Sequence, residues 1–301
     1  MTAAVHTDPA AVGAPPRLEP LRRFARGFAA RPGGMTGLAV LTAMIVLALA
    51  APAFIGPSDL NVISAPGPSL APPSAHFPLG TDQAGRSVLL LTIWGARASL
   101  AVGVIATAVT IAIGAVIGLL AGHFGGTAGR VLMAVTDWFI ALPVLPLAIS
   151  LAVVLGQGDE SITIAIAVTS WSSTARIVRA QTLAVEARPF VERAHALGAG
   201  HRQVLLRQVL PNVMPMILVS STLTVAGAIL SETTLQFLGL GNPTDVTWGT
   251  MLNQAFLQGA VTAGAWWYLL PPGIAILIVT LGFTLVGRAI EDVLNPRAGI
   301  R

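Results

Sequence analysis

From residue 32 to residue 58 the chain runs 27 residues without a charged side chain, and from residue 246 to 287 it runs 42. A helix rises about 1.5 Å per residue, so about 20 apolar residues cross the roughly 30 Å hydrocarbon core of a bilayer. Segments of this kind become membrane-spanning helices, because lipid offers no partner to an unpaired backbone amide. Other charge-poor runs follow at 98–129 (with only His123), 138–158, 161–175 and 208–231. The 42-residue run has room for two spans. Asn253, Gln254, Gln258 and several glycines make its front half a surface helix or loop, which leaves one span at the back. The resulting expectation is an all-α polytopic membrane protein with six transmembrane helices, at about 36–55, 98–122, 134–156, 160–178, 212–235 and 266–287. Ala51-Pro52-Ala53 keeps open the alternative that the first of these is a cleaved signal.

The arginines orient the chain. Basic residues in short loops concentrate on the cytoplasmic side. With six spans and the N-terminus inside, 15 of the 17 basic residues fall inside: five in the first 34 residues, Arg130, six between 176 and 207, then Arg288, Arg297 and Arg301. Only Arg86 and Arg97 fall outside. A seventh span would move the last three arginines outside, so both termini are expected in the cytoplasm and the protein in the cell membrane.

Composition narrows the chemistry. Only 10% of residues are charged against 54% hydrophobic, where a soluble domain carries about a quarter charged residues. All basic residues are arginine and there is no cysteine. A chain without lysine cannot form a Walker A loop or a Schiff base, and one without cysteine has no thiolate nucleophile, disulfide or Cys-ligated zinc. No HExxH, no GxSxG and no carboxylate pair at helical spacing lies in an apolar run. No catalytic group, cofactor or metal site is expected.

Three features remain. Gly114, Gly118 and Gly122 recur every fourth residue, a small-xxx-small stripe that lets helices approach closely, either within this subunit or against a partner. Glu232 ends the 208–231 run, where a carboxylate is costly in lipid and faces the bundle interior or a watery path. It reads as part of a translocation path or, alternatively, as a boundary group bonded to hydroxyls or an arginine. Asp137 reads as an interfacial charge.

The loop between about 176 and 212 is the third. Pro189 suits a helix start, residues 190–197 form a helical octad, and Gly198 supplies a left-handed stop. A second helical piece, 201–209, runs to Leu210-Pro211. Phe190, Val191, Ala194 and Leu197 share one face, which fits either an amphipathic helix on lipid headgroups or a knob inserted in another protein's groove.

This loop also carries a family resemblance. Glu192-Arg193-Ala194-His195-Ala196-Leu197-Gly198, followed after nine residues by Gln208-Val209-Leu210-Pro211, is similar to the EAA loop of ABC-importer permeases, with Arg193 and Gln208 departing from the pattern. Phe77-Pro78-Leu79-Gly80-Thr81-Asp82-Gln83-Ala84-Gly85-Arg86 and Gly95-Ala96-Arg97-Ala98-Ser99-Leu100 resemble external segments of the dipeptide/oligopeptide/nickel permeases. So does Glu232 to Gly241 followed by Trp248-Gly249, with Gln236 in place of serine, and so does Asp292-Val293-Leu294-Asn295-Pro296-Arg297, with Asn295 in place of aspartate. The matches cover about residues 76 to 297 and resemble the C-type subunit.

The resemblance implies a type I ABC-importer transmembrane fold. Residues 1–34 would be a cytoplasmic Arg/Pro-rich tail, 35–96 the first span and external loop, 97–290 the transmembrane core with a coupling loop at 186–211, and 291–301 a cytoplasmic tail. It implies a homologous B-type permease partner, two cytoplasmic ATPases that bind the ATP and Mg, an external substrate-binding protein and the lipid membrane, with no nucleic acid. Carried over by residue, Glu192, Ala194 and Gly198 shape the coupling loop, Leu210 and Pro211 complete its motif, and Phe190, Arg193 and Leu197 are candidates for the docking face. Gly80, Thr81, Asp82, Gly85 and Arg86 form the external motif. A secondary transporter driven by an ion gradient is the alternative class. It needs intramembrane carboxylates and inverted repeats, of which only Glu232 is visible.

Overall fold

In a computed structural model, which describes residues 19–294, twelve α-helices and one π-helical turn account for the regular structure. The helices are α1 (Glu19–Ala29), α2 (Pro32–Phe54), α3 (Pro57–Leu60), α4 (Val88–Phe124), α5 (Gly126–Ala141), α6 (Val144–Leu155), α7 (Asp159–Glu186), α8 (Pro189–Ala196), α9 (His201–Val204), α10 (Leu210–Phe237), α11 (Trp248–Leu257) and α12 (Trp266–Leu294). Among the described residues the only β pairing is an isolated bridge between Thr81 and Ser87. Arg17, the last three residues of the 292–297 motif and Arg301 lie outside the described range.

Four helical runs are long and apolar enough to cross a membrane: α2, α4, the continuous stretch 201–237, and α12. The pair α5–α6 makes a fifth if it is taken as one span. The expected straight helix at 134–156 is therefore corrected: the chain bends by 92° between α5 and α6. Pro143 is the cause, since its ring excludes the residue before it from helical space, and Leu142 is extended at φ −78°, ψ 138°. The expected span at 160–178 corresponds to α7. At 28 residues it is long enough, but seven serines and threonines between 161 and 174 reduce its apolarity.

Other boundaries move as well. The arginine-rich tail contains α1, whose Phe28 is buried and whose Gly27 packs on Val293 of α12. Helix α4 begins ten residues before the expected start, and α7 runs on to Glu186, so Arg176 and Arg179 belong to a helix rather than a loop. Asp137 pairs with Arg176 at 2.6 Å on an exposed surface. The expected stop at Leu210-Pro211 does not occur. A π-helical turn over Leu205–Val209 widens the helix just before the proline, with the Leu210 amide donating to the Leu205 carbonyl. Such a turn relaxes the clash that a proline ring makes with the preceding turn. Nor is the front half of the 246–287 run a surface helix: Trp248, Gly249, Thr250, Met251 and Ala255 of α11 are buried.

The core runs along α4. Gly114, Gly118 and Gly122 all meet α7 of the same chain, where a Cβ would come within 2.6 Å of Thr174, the Ala175 carbonyl and Thr182 respectively. The stripe is thus an intramolecular seam. Gly103, one stretch earlier on α4, lies equally close to Ile229 of α10, so the central helix is clamped on both sides.

Candidate functional site

Three places in the fold gather the residues singled out by sequence. The first is the motif at residues 80–86. Asp82 is 1% exposed, and Arg86 meets it through both Nε and Nη2 at 2.7 Å. The Arg86 amide also donates to Asp82 Oδ1 at 2.8 Å, while Nη1 donates to the Leu60 carbonyl and Nη2 to Gln254. Thr81, fully buried, donates to the Pro68 carbonyl and accepts from the Ala71 amide. Gly80 and Gly85 have φ of +68° and +87°, and a Cβ on Gly85 would sit 2.0 Å from the Gly67 carbonyl oxygen. Only glycine fits that turn. The motif closes the loop before α4 onto itself and onto α11, and both of its charges are paired.

The second is the junction around Glu232. Its side chain is completely buried. Ser99 of α4 donates to Oε1 at 3.2 Å and Thr233 to Oε2 at 3.1 Å, and Ser99 accepts from the Trp248 amide of α11 at 3.3 Å. The Trp248 indole donates to the Thr92 carbonyl. Gln236, where the resembling family carries serine, uses its longer amide to donate to Asp159 of α7 and to accept from the Thr247 hydroxyl. A carboxylate held this way ties α4, α10 and α11 together, which is the geometry of a hydroxyl-bonded anchor rather than of a group facing open space.

The neighbouring residue Ser231 faces the other way. It lines a groove of about 370 Å³ between α7 and α10, together with Ser170, Ser173, Thr174, Ser220 and Thr224. None of the groove's lining residues is charged. On α10 the lining positions 220, 224, 227 and 231 follow helical periodicity. Ser220, Thr224 and Ser231 thus put hydroxyls along this face of α10, a spacing present in the sequence.

The third is the loop between α7 and α10. Helix α8 opens at Pro189 and closes on Gly198 at φ +84°. The Gly198 amide donates to the His195 carbonyl at 2.9 Å and the Ala199 amide to the Ala194 carbonyl at 3.0 Å, the paired bonds of a Schellman motif. Of the apolar face expected on α8, Val191 is 1% exposed and joins Val204, Val209 and Val213 in a cluster against which Phe190, Ala194 and Leu210 pack. Phe190 is half-buried, with part of its ring packed against this cluster. Leu197 is 88% exposed, and Glu192 and Arg193 are exposed too. Pro211 sits in the first turn of α10.

Sequence reasoning missed the ties that hold this loop to the membrane helices. His123, at the end of α4, donates through Nδ1 to Glu186 Oε1 at 2.5 Å, and its Nε2 lies 3.0 Å from Nδ1 of His201 in α9. His123 was the only titratable residue in a 32-residue apolar run, and that isolation was the available signal.

Residues 114–300 match the family model described as a binding-protein-dependent transport system inner membrane component. The di/tripeptide transport system permease protein DppC of Pseudomonas aeruginosa (strain UCBPP-PA14) is 35% identical over 302 residues, 98% of each chain. The oligopeptide transport system permease protein OppC of Bacillus subtilis (strain 168) is 37% identical over 266 residues, 87% of this chain and 85% of that one. In fold, the chain is similar to a crystal structure of an amino acid ABC transporter with histidines, at a TM-score of 0.52 and 18% identity, covering 67% of this chain and 93% of that one. Matched over most of its length by full-length relatives, the chain belongs to the family of binding-protein-dependent transport system inner membrane components.

Proposed function

We propose that this chain is one permease subunit of an ATP-driven importer of dipeptides or oligopeptides, and that it transmits ATPase motion through the loop centred on α8. The observation that carries this reading is the loop's construction. A short helix with a buried inner face and a rigid Schellman stop holds a large apolar side chain, Leu197, almost fully exposed. An exposed leucine on a braced helix end suits insertion into a partner's groove. Peptide as cargo is the reading that the relatives' names support.

The assembly is a heterodimer with a homologous B-type permease, two cytoplasmic ATPases that bind ATP and Mg, and an external binding protein. Six spans with both termini cytoplasmic remain the topology, with the bent pair α5–α6 and the serine-rich α7 as the two atypical members. Alternating access is a population shift between two packings. Nucleotide on the ATPases biases it, α8 carries the bias into α7 and α10, and the groove between those helices forms this subunit's half of the path. Glu232 serves as an anchor beside that path, and Ser231 faces into it.

Replacing Gly198 by Val tests the loop. Nothing lies within 4 Å of a Cβ there, so no clash arises, yet the positive φ resists a β-branched residue. The assembled complex is expected to hydrolyse ATP but lose peptide uptake. Uptake at the parent rate would contradict the coupling role. Peptide uptake by this chain alone along an ion gradient, without ATP, would instead support the secondary-transporter class.

A further inference from the structure

The cytoplasmic ends of four helices meet at a cluster of titratable side chains. His123 ends α4, Glu186 ends α7, His195 lies in α8 and His201 opens α9. The His123 side chain is 2% exposed and Glu186 19%. The His195 ring lies 6.4 Å from that of His123 and 6.2 Å from that of His201. Arg130 of the adjoining α5 turns back onto Gly126 and Thr127 of its own helix, so Glu186 supplies the negative charge that faces His123.

We propose that His123 is the positioning residue that latches the coupling loop to the transmembrane helices, through a Glu186–His123–His201 chain that holds at neutral pH and opens in acid. The inference rests on the loop's proposed coupling role and adds to it the connection through which α9 and α4 move together.

The partners dictate the protons. Glu186 can only accept, so Nδ1 of His123 carries the hydrogen that faces it. With both rings neutral, Nε2 of His123 is then an acceptor, and Nδ1 of His201 donates to it. One added proton leaves the chain intact, because either ring can take it while the other adjusts its tautomer. A second proton puts N–H against N–H across the 3.0 Å gap. The bond is lost and two like charges face each other, with His195 able to add a third. The chain therefore opens only when both rings carry a proton, a state that acid favours. Nothing moves covalently: α9 is released from the end of α4 while the Schellman turn and the valine cluster stay in place.

The test uses the assembled importer, with its partner permease, ATPases and binding protein, in proteoliposomes, with a dipeptide as probe and the ATPase-side pH varied. Uptake is expressed per ATP hydrolysed, which removes the ATPases' own pH response. The parent is expected to lose about fivefold in uptake per ATP towards the acid end, the weight of one hydrogen bond. His201→Gln is expected to give a flat profile, because the amide can donate to His123 or accept from it in either protonation state. His123→Phe, which cannot make either bond, is expected to sit low at every pH. A flat parent profile, or a His201→Gln profile that falls as the parent's does, would overturn the latch. Leu197→Arg in the same assay separates the two layers of the argument. If that variant is uncoupled while His201→Gln titrates like the parent, the latch alone fails; if it remains coupled, the coupling role of the loop fails.

Discussion

The motif at residues 80–86 and the loop at 186–211 both stand out in the sequence, yet the structure treats them in opposite ways. In the 80–86 motif the charges are consumed internally: Asp82 takes three bonds from Arg86, and Thr81 both donates and accepts. In the 186–211 loop the backbone of α8 is just as carefully closed, but its side chains Glu192, Arg193 and Leu197 are exposed. A motif whose polar groups are satisfied within the chain maintains the fold. One that is braced yet exposed awaits a partner. Substitutions in the first region should therefore cost stability, and substitutions in the second should cost coupling while leaving the fold alone.

The sharpest break comes at the Asp82–Arg86 knot. Asp82→Ala leaves the Arg86 guanidinium buried without its counter-charge, a loss of about 3–5 kcal/mol for broken buried pairs. The level of folded protein in the membrane and its thermal unfolding in detergent should both fall steeply. A variant as stable as the parent would mean that the knot is dispensable. Next in size is Gly118→Val at the α4–α7 seam, where a Cβ meets the Ala175 carbonyl at 2.6 Å. Overpacking there should cost about 1–3 kcal/mol, read as a lowered Tm. An unchanged Tm would place the stripe at a looser contact than the structure describes.

Glu232→Gln is smaller. The amide keeps an acceptor for Ser99 or Thr233 but presents a donor to the other hydroxyl, and about 1 kcal/mol is the expected loss. Uptake per assembled complex should stay near that of the parent. A transport defect with normal stability would move Glu232 from anchor to path.

How much of this could be read from sequence follows from the range of the interactions. The Schellman loop was legible because its determinants are local: Pro189 at the start and Gly198 at the stop lie nine residues apart. The small-residue stripe was legible as a seam, but its partner helix was not, since any helix can fill such a groove. The Asp82–Arg86 knot could be seen as a motif and not as a structure, because Arg86 closes onto Leu60 and Gln254, 26 and 168 residues away. The bend at Pro143 was written in the sequence and yielded to the apolar run around it, since length alone argued for one span. Glu232 showed its cost but not its partners, which come from α4 through Ser99, 133 residues earlier.

The smallest expected change in stability is also the most direct test of the coupling role. Leu197 is 88% exposed, so Leu197→Arg should alter stability by no more than about 0.5 kcal/mol. In the assembled complex we expect an unchanged Tm, persisting basal ATP hydrolysis, and loss of both peptide uptake and its stimulation of the ATPases. A variant that folds, assembles and imports peptide at the parent rate per ATP would contradict the account.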